Sequence, residues 1–157
     1  MKTLYRAASR ATAAAGAHFS PSKEMALAYT TNPGFGGPRL YRYEIDPEYH
    51  LDLYKVEKRR GYRVALETLA EALEYDDPYE TMLKWEGRGY YHMFHVFEND
   101  SDATRRAKAN FDWISFQDDF PEGAETWRYF GDAKLEGENV STPASQLDRE
   151  IREALED

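Results

Sequence analysis

The side chains that could do chemistry sit in a few short runs. Arg6 closes the run Thr3-Leu4-Tyr5-Arg6, and Gly16-Ala17-His18-Phe19-Ser20-Pro21-Ser22 follows soon after. An arginine offers a planar fork of donors that fits phosphate oxygens. Near the other end, Gly123-Ala124-Glu125 sets a carboxylate just ahead of Thr126-Trp127-Arg128-Tyr129-Phe130. Glu122 and Glu125 could together mimic a two-acid site. His92 and His95 are three apart, a spacing that suits a metal on a helix but splits across the two faces of a strand. With no Cys to complete a set, no metal is expected there. Gly34-x-Gly36-Gly37 lies between a helix and a strand, the wrong order for a dinucleotide fingerprint, and reads as a loop.

The elements that must position these residues are legible in part. Thr3 to Arg6 reads as a short strand, and the Ala-rich stretch up to Gly16 as a loop or a frayed helix. Ser20-Pro21 is a helix-start signal, a Ser cap with Pro at the first helical position, and Glu24 suits the first turn. That helix, with Tyr29 near its end, should stop near Thr30, before the turn residues Asn32-Pro33-Gly34. Leu40 to Ile45 alternates, with Tyr41, Tyr43 and Ile45 on one side and Arg42 and Glu44 on the other. His50 to Tyr54 reads as a further strand. Arg63 to Tyr75 is an amphipathic helix with Leu66, Leu69, Ala70 and Leu73 at helical spacing. The aromatic run Tyr90 to Phe97 reads as a strand. Asp102 to Asn110 reads as a helix capped by Asp100, Ser101 or Asp102. Phe111 to Phe116 and Thr126 to Phe130 are strands, and Ser145 to Leu155 is a last helix. Short strands interleaved with helices point to an α+β domain.

In this order the blocks resemble the ADP-ribosyltransferase superfamily. The resemblance rests on Arg6 on a first strand, Phe19-Ser20-Pro21-Ser22 closing a second, and a helix with Ala26-Leu27-Ala28-Tyr29. It continues with Tyr43-Glu44-Ile45-Asp46, Leu51-Asp52-Leu53, Phe111-Asp112-Trp113-Ile114 and Gly123-Ala124-Glu125. These blocks lie within residues 3–131 of a single domain covering 1–157. Arg6 and the two serines match the Arg-Ser-Glu branch, with Pro21 in place of the usual Thr. Phe19 and Tyr29 stand where the His-Tyr-Glu branch carries its tyrosines, so the pattern sits between the branches. Arginine-modifying members carry an acid two residues before the last glutamate, and here that position is Gly123.

What the resemblance implies is a compact split-sheet fold with flanking helices, and NAD as substrate. Cleaving the nicotinamide–ribose bond develops positive charge on the sugar. Glu125 would stabilise that cation and hold the ribose 2′-hydroxyl, Arg6 would grip a phosphate or ribose oxygen, and Phe19 and Tyr29 would bracket the nicotinamide. Ser20, with Ser22, would line the ribose side or orient Glu125, although a plain helix cap also accounts for Ser20. The implied activity is mono-ADP-ribosyl transfer to a macromolecule, as in a bacterial or phage effector or toxin. An NAD glycohydrolase, or a non-catalytic inhibitor or binding protein, would use the same fold.

Composition narrows the partners. The 157 residues carry a net charge of −9, which disfavours a general nucleic-acid coat and favours a protein acceptor. One exception is Lys55 to Arg63, with Lys55, Lys58, Arg59, Arg60 and Arg63 against Glu57; it reads as a solvated helix start or as a contact for an acidic partner or cofactor phosphates. The absence of Cys removes disulfides and thiolate chemistry and suits a reducing cytoplasm, that of the producing cell or of a host. No apolar run is long enough for a membrane span, so no membrane partner is expected.

Overall fold

A computed structural model describes residues 1–30, 37–118 and 123–141, with the side chains of Tyr29 and Thr30 excepted. The chain is α+β and divides into two compact units, Met1–Asp46 with Asp132–Asp157, and Pro47–Gly131. The helix expected over Ser145 to Leu155 lies outside the described residues, as do Asn32 to Gly36 and Glu122.

The first unit opens with β1 (Lys2–Ala8), the short β2 (Thr12–Ala13) and β3 (His18–Phe19), then α1 (Lys23–Thr30) and β4 (Arg39–Ile45). β1 and β4 pair antiparallel over their whole length, with Leu4 opposite Tyr43 and Arg6 opposite Tyr41. Opposed residues share a face, so Leu4, Arg6, Tyr41 and Tyr43 project together. Leu4, Tyr41 and Tyr43 are buried, as the alternation of β4 predicts. Leu40 is buried too, on the reverse face with Ala7 opposite it, so both faces of this ribbon are used.

Helix α1 starts two residues later than its Ser-Pro signal implies. Ser22 is the cap: its Oγ accepts from the Met25 amide at 3.2 Å. Ser20 remains extended because its amide and carbonyl both pair with Tyr5, at 2.8 and 2.7 Å. Two strand-type bonds hold Ser20 out of the helix, and Pro21 falls in the bend between.

The second unit begins with β5 (His50–Asp52) and runs through α2 (Tyr54–Arg60), α3 (Tyr62–Ala72), α4 (Pro78–Gly87), α5 (Met93–Asn99) and α6 (Ser101–Asn110). β6 (Trp113–Gln117) and β7 (Glu125–Tyr129) follow. The chain then returns to the first unit with β8 (Leu135–Glu136), paired to β2, and β9 (Glu138–Asn139), paired to β4. β6 pairs parallel with β5 and antiparallel with β7. The parallel pair needs a long crossover, and the five helices supply it.

The helices build one apolar core on the sheet face that carries Ile114 and Phe116. Leu66, Leu69 and Leu73 of the α3 region, Met82 and Trp85 of α4, and Met93, Val96 and Phe97 of α5 all bury there. Each such side chain contributes roughly 1.5–3 kcal/mol by leaving water. Two helix starts are capped by aspartates. Asp77 caps α4 with Pro78 at its first position, and Asp100 caps α6 through the Ala103 amide at 3.0 Å. The other Asp100 oxygen accepts from the Trp85 indole at 2.9 Å, tying α4 to the α6 cap.

Two expectations fail in this unit. The aromatic run Tyr90 to Phe97 is no strand; its second half is α5. Met93, Val96 and Phe97 bury at i, i+3 and i+4, and that helical stripe outweighs the strand preference of the aromatics. The strand from His50 stops at Asp52, and Tyr54 already belongs to α2. Among the described residues, no helix is long and apolar enough to cross a membrane.

Candidate functional site

Arg6 lies in the first unit, on the β1 face shared with Tyr41 and Tyr43. Its guanidinium carbon stands 5.9 Å from the centre of the Phe19 ring. Phe19 meets Tyr43 edge-on, with centroids 4.9 Å apart. The Tyr43 hydroxyl donates to the Ala11 carbonyl at 2.6 Å and bonds Arg6. Burial raises the Tyr43 phenol above its ordinary value, while the Arg6 cation and its hydrogen bond act the other way. A side chain at position 137 would strike the Tyr43 ring, so Gly137 lets the returning chain pass close to it. The result is an arginine held in place by two aromatic rings.

The serines are local in their bonding. Ser20, 6% exposed, accepts the Ser22 amide at 3.0 Å on its Oγ. Ser22 Oγ, besides capping α1, contacts a Glu24 carboxylate oxygen at 3.3 Å. Phe19 is 3% exposed, so its ring supports Arg6 from within. Tyr29 lies in α1, and its side chain is outside the described part. The structure therefore brings Arg6 and Phe19 together beside the Tyr5–Ser20 bridge, sets Ser20 on the reverse face with Tyr5, and leaves Ser22 at the head of α1.

Glu125 belongs to the second unit, at the start of β7, opposite Gln117 of β6. One of its oxygens accepts from the Trp127 indole nitrogen at 2.7 Å. Trp127 stacks on His50, with centroids 3.9 Å apart and planes at 22°. His50 Nε2 lies 2.8 Å from Ser115 Oγ, which in turn lies 3.2 Å from a carboxylate oxygen of Asp52. Asp52 also holds the start of α2 through the Lys55 amide and ammonium, at 3.3 and 3.8 Å. Register explains the assembly: Asp52 pairs with Ser115, Ser115 with Trp127 and Gln117 with Glu125, all on one sheet face. Glu125 is thus oriented by a row across three strands. One donor to its carboxylate leaves the second oxygen for other work.

Sequence reasoning missed Trp127, His50, Ser115 and Asp52. The alternation Glu125, Trp127, Tyr129 was a signal for one face of β7. Nothing local links His50 to Ser115, which is 65 positions away.

Glu57 of α2 is 7% exposed and accepts the Gln117 amide at 3.3 Å, just past the point where β5 ends beside β6. Burial pushes its carboxyl up to about 6, against the opposing effect of that amide. His92 precedes α5 and His95 lies in its first turn, with ring centroids 5.6 Å apart. Among the described residues, no three His, Asp or Glu side chains converge as a metal set would. No family model, no curated protein and no solved structure matches the chain.

Proposed function

We propose that this chain binds NAD and transfers its ADP-ribose group to a macromolecule. The observation that carries the reading is the Tyr5–Ser20 pairing, whose register sets Phe19 opposite Arg6, with the Arg6 guanidinium over its ring. The motif residues expected to serve NAD are separated in sequence, and two of them, Arg6 and Phe19, meet here. Arg6, with Phe19 and Tyr43 fixing its guanidinium, grips a phosphate or ribose oxygen by its donor fork. A pre-oriented fork loses little side-chain freedom when the anion binds.

Glu125 supplies the charge for the chemical step. The bond between the ribose C1′ and the nicotinamide nitrogen breaks, and its electron pair leaves with nicotinamide. The ribosyl cation that develops is stabilised by the Glu125 carboxylate, whose orientation Trp127 sets. A nucleophile on the acceptor then bonds C1′ and releases its proton. A preorganised charge of this kind lowers the barrier by roughly 3–4 kcal/mol, or about 10²–10³ in rate. Water in place of the acceptor gives hydrolysis through the same first step.

Incubation with NAD labelled in its adenylate part, with and without cell lysate, tests the proposal. Wild type should release nicotinamide, with label on an acceptor for transfer or as free ADP-ribose for hydrolysis. Glu125→Gln should keep NAD binding and lower turnover by about 10²–10³. Arg6→Ala should raise KM more than it lowers kcat. NAD bound but never consumed would make this a binding protein, and NAD neither bound nor consumed would end the reading.

A further inference from the structure

A second candidate site lies within the helical unit, away from the sheet residues described above. The start of α3, the end of α4 and the segment before α5 enclose a cleft of about 620 Å³, within the size range of ligand pockets. Tyr62, Arg63, Leu83, Glu86, Gly87 and Tyr91 line it. Tyr62 and Tyr91 meet at 90° with centroids 5.5 Å apart, and Tyr91 is 45% exposed. Glu86 is held in place on the wall by the Tyr62 hydroxyl at 2.7 Å and by Arg63 Nε at 3.1 Å.

The stretch of chain that leads into this cleft is cationic. Lys55, Lys58, Arg59, Arg60 and Arg63 are all exposed on α2 and the first turn of α3. Of these, Lys55 pairs with Asp52 and Arg63 with Glu86. No carboxylate of the described residues lies within ion-pair distance of Lys58, Arg59 or Arg60. The acid inside the run, Glu57, faces inward. In a chain of net charge −9, this is a local cationic run that leads in sequence through Gly61 to Tyr62 on the cleft wall.

We propose that this surface binds single-stranded nucleic acid, with phosphates along Lys58, Arg59 and Arg60 and one base against Tyr62 and Tyr91. Three features favour that occupant. Exposed cations beside an accessible aromatic ring are the elements that hold phosphates and bases together. The Glu86 carboxylate can accept from an exocyclic amine or ring N–H of a base, whereas an acidic side chain entering the cleft would be repelled by it. A basic peptide would meet the five cations first.

Fluorescence anisotropy with labelled ten-nucleotide single strands, RNA and DNA, tests the proposal without NAD. Wild type should bind at 50 mM salt, more tightly than it binds a duplex of the same sequence, with affinity falling as salt rises. The triple reversal Lys58→Glu, Arg59→Glu, Arg60→Glu should abolish binding, and neutralising the same three with Gln should lower the salt slope by about 2. Tyr91→Ala should weaken binding about fivefold or more. All four positions are exposed, so the melting temperature should stay near that of wild type. The proposal fails if wild type does not bind the strands, or if Tyr91→Ala binds them as wild type does. It fails equally if a poly-glutamate peptide binds as tightly as the strands, which would mark the strip as a contact for acidic protein segments.

Discussion

The two faces of the β5–β6–β7 sheet are built from the same strands and do opposite jobs. Ile114 and Phe116 point toward the helices and are fully buried in apolar company, with Phe97 of α5 5.0 Å from Phe130 and 6.0 Å from Phe116. Residues one step along each strand point the other way and form the row Asp52, Ser115, His50, Trp127 and Glu125. The first face gains its energy from area removed from water, a non-directional quantity. The second face depends on angles and distances, and each member has a specific partner. Losses on the first face should therefore appear as stability, and losses on the second mainly as geometry at Glu125.

The largest expected effect lies on the apolar side. Trp85→Ala removes a side chain that is 1% exposed and leaves the Asp100 carboxylate without its indole donor. Loss of a large buried aromatic costs about 3–5 kcal/mol. Urea unfolding should show the free energy of unfolding falling by that amount, through a lower midpoint with little change in slope. A loss below 1 kcal/mol would mean that α4 is not part of the cooperative core.

This contrast also explains which features could be read ahead of the structure. The apolar face follows from periodicity: Leu66, Leu69, Ala70 and Leu73 announce α3, and they are buried where the spacing places them. The alternation of Tyr41, Tyr43 and Ile45 likewise locates β4. Arg6, Phe19 and Ser20 stood out as chemistry-bearing types, and the Tyr5–Ser20 bridge brings Phe19 to Arg6 while Ser20 takes the reverse face. The row behind Glu125 was hidden, because it depends on the register between strands separated by five helices. Helix α5 was misread for a related reason. Its aromatic content suggested a strand, and only burial at i, i+3 and i+4 decides otherwise.

A middle-sized effect belongs to the polar row. Ser115 is 1% exposed and lies between His50 and Asp52. Ser115→Ala leaves both partners short of one bond, at a cost of about 1–3 kcal/mol in stability. If the row orients Glu125, the same variant should lower NAD turnover under conditions where it remains folded, with KM little changed. Turnover equal to wild type would show that the stack of His50 on Trp127 holds without Ser115.

The smallest effect concerns Glu57, at the edge where β5 ends, and it has a pH signature. Its carboxyl is raised from 4.5 to about 6 in the folded chain, so the folded state holds this proton more tightly than the unfolded one. Stability from this group is full below pH 4.5 and is lost as pH rises through 6. With allowance for residual solvation of the carboxylate, the loss is about 1 kcal/mol. Glu57→Gln keeps an oxygen to accept the Gln117 amide and removes the titration. The variant should therefore be more stable than wild type by about 1 kcal/mol at pH 7.5, with the gap closing as pH falls toward 4.5. Urea midpoints for both proteins across that range give the difference curve, in which other titrating groups cancel. A difference that stays flat with pH would show that Glu57 is solvated enough to ionise freely, and that the Gln117 amide is held by a carboxylate at no electrostatic cost.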